Sequence, residues 1–237
     1  MRRNVHSRTE QIRRLVVLLT PVAVPVSMAG VFAALGRHLP PRTAYNAGFA
    51  IYWAGWGVAV PTAVLGPRRA LHVLTSGRRP TAGQAAALLL PVAGAVTTEL
   101  LPRRGLVNPP VLAAMVASAV VNATTEELVW RGMFLEVFPE DVVRGALWPL
   151  AGFSLWHLAP QIVFPSRRGR WAFVAGAAVV GSASALASWR GRGVRWVLLP
   201  HVATDACGVT AARFRLGLPP GTDGVTTGRT RGRRGRR

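Results

Sequence analysis

The sequence predicts an all-α protein, a polytopic transmembrane helix bundle of about seven spans, within a range of six to eight. Three observations carry that expectation. Half of the 237 residues are hydrophobic and only 16% are charged, well below the roughly 25% usual in a soluble globular domain. The apolar residues gather into runs close to the roughly 20 residues that a helix needs to cross a hydrocarbon core about 30 Å thick. The formal charge of +20 falls mainly in the gaps between those runs and at the two ends. An ordinary soluble enzyme does not have this pattern.

Taken in order, the runs are residues 15–35, 44–65, 82–101, 111–138, 146–164, 171–188 and 194–212. The first follows five arginines and so has the basic flank of a signal peptide. It continues for a full span and lacks a small-residue cleavage site, so a retained span is expected. Breakers such as Pro40-Pro41-Arg42, Gly66-Pro67-Arg68-Arg69 and Pro102-Arg103-Arg104-Gly105 separate the next runs. Helices are expected because backbone groups in lipid must satisfy one another within a segment. Gly, Ala and Ser across 176–185 suit close helix packing. Trp53, Trp56, Trp148, Trp171 and Trp196 are expected at the membrane–water boundaries, and Glu99, beside Arg103 and Arg104, likewise.

The domain organisation follows: a basic N-terminal arm at 1–14, one transmembrane domain at 15–212 with its chemical core at about 110–210, and a basic tail at 213–237. Proline, glycine and threonine mark that tail as disordered. With the N-terminus inside, the inner gaps hold thirteen arginines and the outer gaps seven. This distribution favours a cytoplasmic N-terminus in a multi-pass cell-membrane protein. Seven spans would then leave the eight arginines of the tail outside, a conflict that six or eight spans would remove. On a membrane protein, the arginine-rich ends suit anionic lipid headgroups, at about 1 kcal/mol per Arg near the surface, and no nucleic-acid partner is expected. The single cysteine, Cys207, allows no internal disulfide and reads as a small buried residue.

Ionisable groups inside apolar runs are costly and point to function. Glu126, Glu127 and Arg131 lie within the fourth run, His157 in the middle of the fifth, and His201 and Asp205 in the last. Glu127 and Arg131 are four apart with the acid first, the favourable order for an ion pair on one helix face. Glu126 points about 100° away and can meet another partner. Phe153 and His157 share a face, as do His201 and Asp205. If these helices pack together, Glu126, His157, His201 and Asp205 converge on one buried site. There a carboxylate and an imidazole could take a proton from water, and the other groups could stabilise charge on a carbonyl oxygen. Two imidazoles and two carboxylates could also hold a divalent metal such as Zn²⁺.

The stretch Glu126-Glu127-Leu128-Val129-Trp130-Arg131 resembles the EExxxR motif of the CAAX prenyl endopeptidase and bacteriocin-processing family of intramembrane proteases. Phe153-Ser154-Leu155-Trp156-His157 resembles its FxxxH motif, and His201-Val202-Ala203-Thr204-Asp205 its HxxxN/D motif. The three occur in the family's order over about residues 110–210. The resemblance implies a membrane-embedded endopeptidase of glutamic type that hydrolyses a peptide bond of a peptide or protein substrate without a covalent intermediate. It implies Glu126 as general base, His157 holding the attacking water, His201 and Asp205 on the oxyanion side, and Glu127 with Arg131 as a structural ion pair. Many members carry Asn where this chain has Asp205. An ionised Asp would repel an oxyanion, so Asp205 must be protonated or must instead orient His201. Metal dependence stays open. Two other classes remain, a non-catalytic membrane immunity or scaffold protein of the same fold, and an ion-coupled transporter.

Overall fold

Proline and glycine set most of the helix boundaries. A computed structural model describes residues 2–166 and 169–208, with side chains from Arg8 onward. Among these residues there are eight helices and no strand. α1 is Arg2–His38, so residues 2–14 of the basic arm are themselves helical. α2 is Pro41–Leu65 and α3 is Pro67–Thr75. α4 is Ala82–Leu106 and α5 is Pro109–Val137. α6 is 142–156, α7 is Arg170–Gly191 and α8 is Arg195–Gly208. The tail from 213, and residues 209–212 of the last apolar run, lie outside the described residues.

Prolines 41, 67 and 109 each open a helix, where the missing N–H costs nothing and the fixed φ is already helical. Gly66 separates α2 from α3 at φ 79°, a conformation that side chains with a β-carbon resist. α3 occupies a gap read from the sequence as irregular, because a proline at the first helical position starts a helix as readily as a proline inside one breaks it. The start of α4 is held by a capping box, with Thr81 accepting from the Gln84 amide and Gln84 accepting from the Thr81 amide. Asn108 caps α5 by accepting from the Val111 amide at 3.0 Å.

Among the described residues, five helices are long and apolar enough to cross a membrane: α1 from Arg8, α2, α4, α5 and α7. The fifth and seventh apolar runs form the shorter α6 and α8, about 22 and 21 Å long at 1.5 Å per residue. The ends of the helices sort into two groups. Arg78 donates its amide to the Gly191 carbonyl and Arg195 to that of Ser76, while the Arg192 guanidinium reaches the Pro139 carbonyl and Glu140. The loops at 76–81, 138–141 and 191–195 therefore meet at one end. At the other end, Gly36 near the close of α1 packs on Val163 in the turn after α6.

The outer surface is apolar in the way a bilayer demands. Leu90, Val26 and Leu199 are among many large hydrophobic side chains left exposed, a surface that water would not tolerate at this extent. Inside, Val17, Val24, Met28 and Phe32 form one face of α1. They join Tyr45, Phe49, Tyr52, Trp130, Phe153 and Trp156 in a core dominated by aromatic rings. α8 lies against α5 and α4, and α6 is held between α1 and α7. Those two placements bring the polar residues together.

Candidate active site

α5 contributes the acids. Glu126 and Glu127 are fully enclosed, at 1% and 0% exposure, and the π-helical turn Leu128–Gly132 follows them directly. Such turns insert one extra residue and recur at functional sites. Glu126 Oε1 accepts a hydrogen bond from the indole N–H of Trp156 at 3.0 Å. Its Oε2 faces Nε2 of His201 at 3.4 Å. Glu127 Oε1 accepts from His201 Nδ1 at 2.7 Å and lies 3.2 Å from the Arg131 guanidinium.

α8 contributes His201 and Asp205 from one face, as their spacing requires. His201 Nε2 is 3.7 Å from Asp205 Oδ1. Asp205 Oδ2 accepts from the side-chain amide of Asn122 at 2.7 Å. One ligand atom each from Glu126, His201 and Asp205 fits within 4.8 Å. Three of the four residues read from the sequence as the reacting set thus meet directly.

His157 lies outside that trio but within electrostatic reach of Glu126 and His201. The sequence put it mid-span, whereas it closes α6 at the last helical turn, because Pro160 three residues further on opens a 3₁₀ turn. Its Nδ1–H donates to the Phe153 carbonyl at 2.7 Å, which leaves Nε2 with the lone pair. The Phe153 ring neighbours both imidazoles, its centroid 4.7 Å from that of His157 and 6.2 Å from that of His201. The same ring carries the Arg131 guanidinium on its face at 4.1 Å.

Three participants escaped the sequence reading. Trp156, a spacer within the FxxxH pattern, holds Glu126 and stacks on Tyr52 at 4.1 Å. Asn122, the lone amide in the α5 apolar run, lies four residues before Glu126 and so on its face; that spacing was the available signal. Trp53 was expected at a membrane boundary. It lies at the midpoint of α2 and donates to Asn122 Oδ1 at 2.8 Å. Glu99 pairs with Arg103 at 2.7 Å near the end of α4, in keeping with the boundary position expected of it.

The electrostatics of the trio are constrained. Glu127 receives the Nδ1 proton of His201, so a neutral ring would present only a lone pair at Nε2. That lone pair would face two carboxylate oxygens. A proton on His201, Glu126 or Asp205, or else a divalent metal ion, must lie between them. The donor set fits such an ion: one imidazole and two carboxylates, with Glu127 orienting the imidazole from behind, the arrangement that supports metal-bound histidines.

Fold and site together define a polytopic helical membrane protein with a carboxylate–histidine cluster sealed among its helices. Residues 108–207 match the model of the family described as type II CAAX prenyl endopeptidase, Rce1-like. The matched segment runs from the cap of α5 to the end of α8 and contains all three motifs. The resemblance read from those motifs is thereby borne out over that segment. No curated protein and no solved structure matches the chain.

Proposed function

We propose that the protein is a membrane-embedded endopeptidase of the CAAX type. The observation that carries this reading is the convergence of Glu126, His201 and Asp205 from two helices, inside a segment that matches a CAAX endopeptidase family. Glu126 takes a proton from water as the water oxygen attacks the substrate carbonyl carbon, and the C–N bond then breaks as that proton passes to the leaving amine. The Trp156 indole holds Glu126 Oε1, so Oε2 is the atom aimed into the site. His157, with Nε2 bearing its lone pair, holds the water. His201, oriented by Glu127, supplies hydrogen-bond stabilisation to the oxyanion, and Asp205 orients His201 from its own helix.

The test is quantitative comparison of peptide ends in membranes carrying the wild type or Glu126→Gln. At least one cleavage product should vanish in the variant while the variant protein still inserts and melts normally. Products that persist unchanged would overturn the reading and return the scaffold and transporter classes to the front. A peptide with a farnesylated cysteine four residues from its C-terminus is the first defined probe, because the family's description names prenyl substrates.

The crowding of lone pairs at His201 Nε2 favours a metal-assisted variant of the same function. A metal held by Glu126, His201 and Asp205 would polarise the carbonyl and the water. Elemental analysis of purified protein separates the two: His201→Ala should lose the ion and His157→Ala should keep it, and metal-free wild type would exclude the variant. For orientation, we place the N-terminus in the cytoplasm. Arg68, Arg69, Arg78, Arg79, Arg192 and Arg195 lie at the end where the loops at 76–81, 138–141 and 191–195 meet and give it the excess of arginines, suited to anionic headgroups.

A further inference from the structure

Asn122 and Asp205 form a second rung between α5 and α8, one helical turn from the rung made by Glu126 and His201. In each rung a residue of α5 meets one of α8, and the partners are four apart on both helices. The Asn122 amide has a donor end and an acceptor end, and a third residue decides which faces Asp205. Trp53 offers only an N–H, and it lies 2.8 Å from Asn122 Oδ1. The indole therefore takes the oxygen end of the amide, and the NH₂ end must point to Asp205 Oδ2, 2.7 Å away. Asn122 is 8% exposed, so water does not readily replace either contact. Asp205 Oδ2 is committed as an acceptor, and Oδ1 is left on the side of His201 Nε2.

We infer that Asn122 is a positioning residue for the hydrolytic reaction, and that Trp53 sets the sense of its amide. The two hold Asp205 so that one defined oxygen faces His201. The inference rests on the endopeptidase reading above and adds two residues to it.

The experiment uses full-length protein in membranes and follows the products that Glu126→Gln removes. Asn122→Ala should lower kcat at least about tenfold with KM within about twofold, the size expected for loss of one hydrogen bond to a charged group. Asn122→Asp sets two carboxylates against each other and should fall at least as far. Adding Asp205→Asn to Asn122→Asp restores a donor opposite an acceptor, since a carboxylate at 122 accepts from both Trp53 and the new amide. The double variant should recover at least about tenfold over Asn122→Asp alone. A purely structural role for Asn122 predicts less folded protein, restored by the double variant, with kcat per folded molecule unchanged throughout. Should Asn122→Ala fail to insert, Trp53→Phe leaves Asn122 in place, removes only the N–H, and should lower kcat about threefold by freeing the amide to turn over. Unchanged turnover in Asn122→Ala or Trp53→Phe, or a double variant no better than Asn122→Asp, would overturn the inference while leaving the endopeptidase reading intact. Absence of any Glu126-dependent product would overturn both.

Discussion

His201 Nδ1 lies 2.7 Å from Oε1 of Glu127, the residue assigned on sequence grounds to an ion pair with Arg131. The ion pair exists, and Glu127 uses one oxygen for both partners. A single buried carboxylate thus joins the helix-stabilising arginine to the imidazole of the site. It fixes which ring nitrogen carries the proton on that side, as the carboxylate of a catalytic triad does.

Glu127→Gln keeps the size of the side chain and removes its charge. It should lower turnover of the Glu126-dependent product by about 10²-fold or more, because a neutral amide no longer stabilises the imidazole's charge and can turn its NH₂ toward Nδ1, selecting the other tautomer. The check is initial rate per folded molecule, because the Arg131 charge is left buried without its partner and the melting temperature falls as well. Turnover equal to the wild type would show that Glu127 serves Arg131 alone.

Arg131→Leu removes the partner and leaves the Glu127 charge buried. Breaking a buried pair costs about 3–5 kcal/mol, and the guanidinium contacts with the Phe153 ring and the Gly181 carbonyl go with it. Thermal unfolding in detergent should shift strongly downward. The loss should be one of stability with the rate per folded molecule kept, whereas Glu127→Gln lowers both.

Trp156→Phe keeps an aromatic ring against Tyr52 and deletes the N–H that holds Glu126. A hydrogen bond to a charged group contributes about 1.5–3 kcal/mol, so turnover should fall roughly tenfold or more. Kinetics on the same product provide the measurement. A fall in Tm without a change in rate would assign Trp156 to packing only.

Gly57 lets α2 approach α5 beside the site: a β-carbon there would lie 2.5 Å from Cβ of Thr125, next to Glu126. Gly57→Ala should cost about 1–3 kcal/mol as an overpacked contact and reduce turnover by pushing Trp53 away from Asn122. Gly55→Ala, two residues away with open space at its β-carbon, is the control and should be neutral or slightly stabilising. Melting curves of the two variants decide it.

Much of this architecture was legible in the chain because lipid makes helix the only economical answer for a long apolar run. The residues with chemistry stood out for the same reason, since Glu126, Glu127, Arg131, His201 and Asp205 interrupt apolar runs where charge is expensive. The spacing of four between His201 and Asp205 correctly put them on one face. Legibility failed where a residue's role depends on a partner from another helix. Trp53 in a run of small and apolar residues looks like a boundary aromatic, and only the packing of α2 on α5 gives it Asn122. His157 looked central because its apolar run is long, although the helix within that run stops at His157 and a 3₁₀ turn begins at Pro160.

By itself the sequence determined the class of structure, the helices that carry polar residues, and the face each residue occupies. Those properties follow from local rules, namely hydropathy, the helical repeat and the scarcity of acids. Tertiary structure decided which atoms meet: that Glu127 serves His201 as well as Arg131, that Trp156 holds Glu126, and that Asn122 closes a second rung on Asp205. Hydrogen bonds act over about 3 Å, so these pairings exist only once α2, α5, α6 and α8 have packed at their final separations. The +20 charge and the apolar runs set how the chain lies in a bilayer, and the chemistry waits on four helices closing around a few acids.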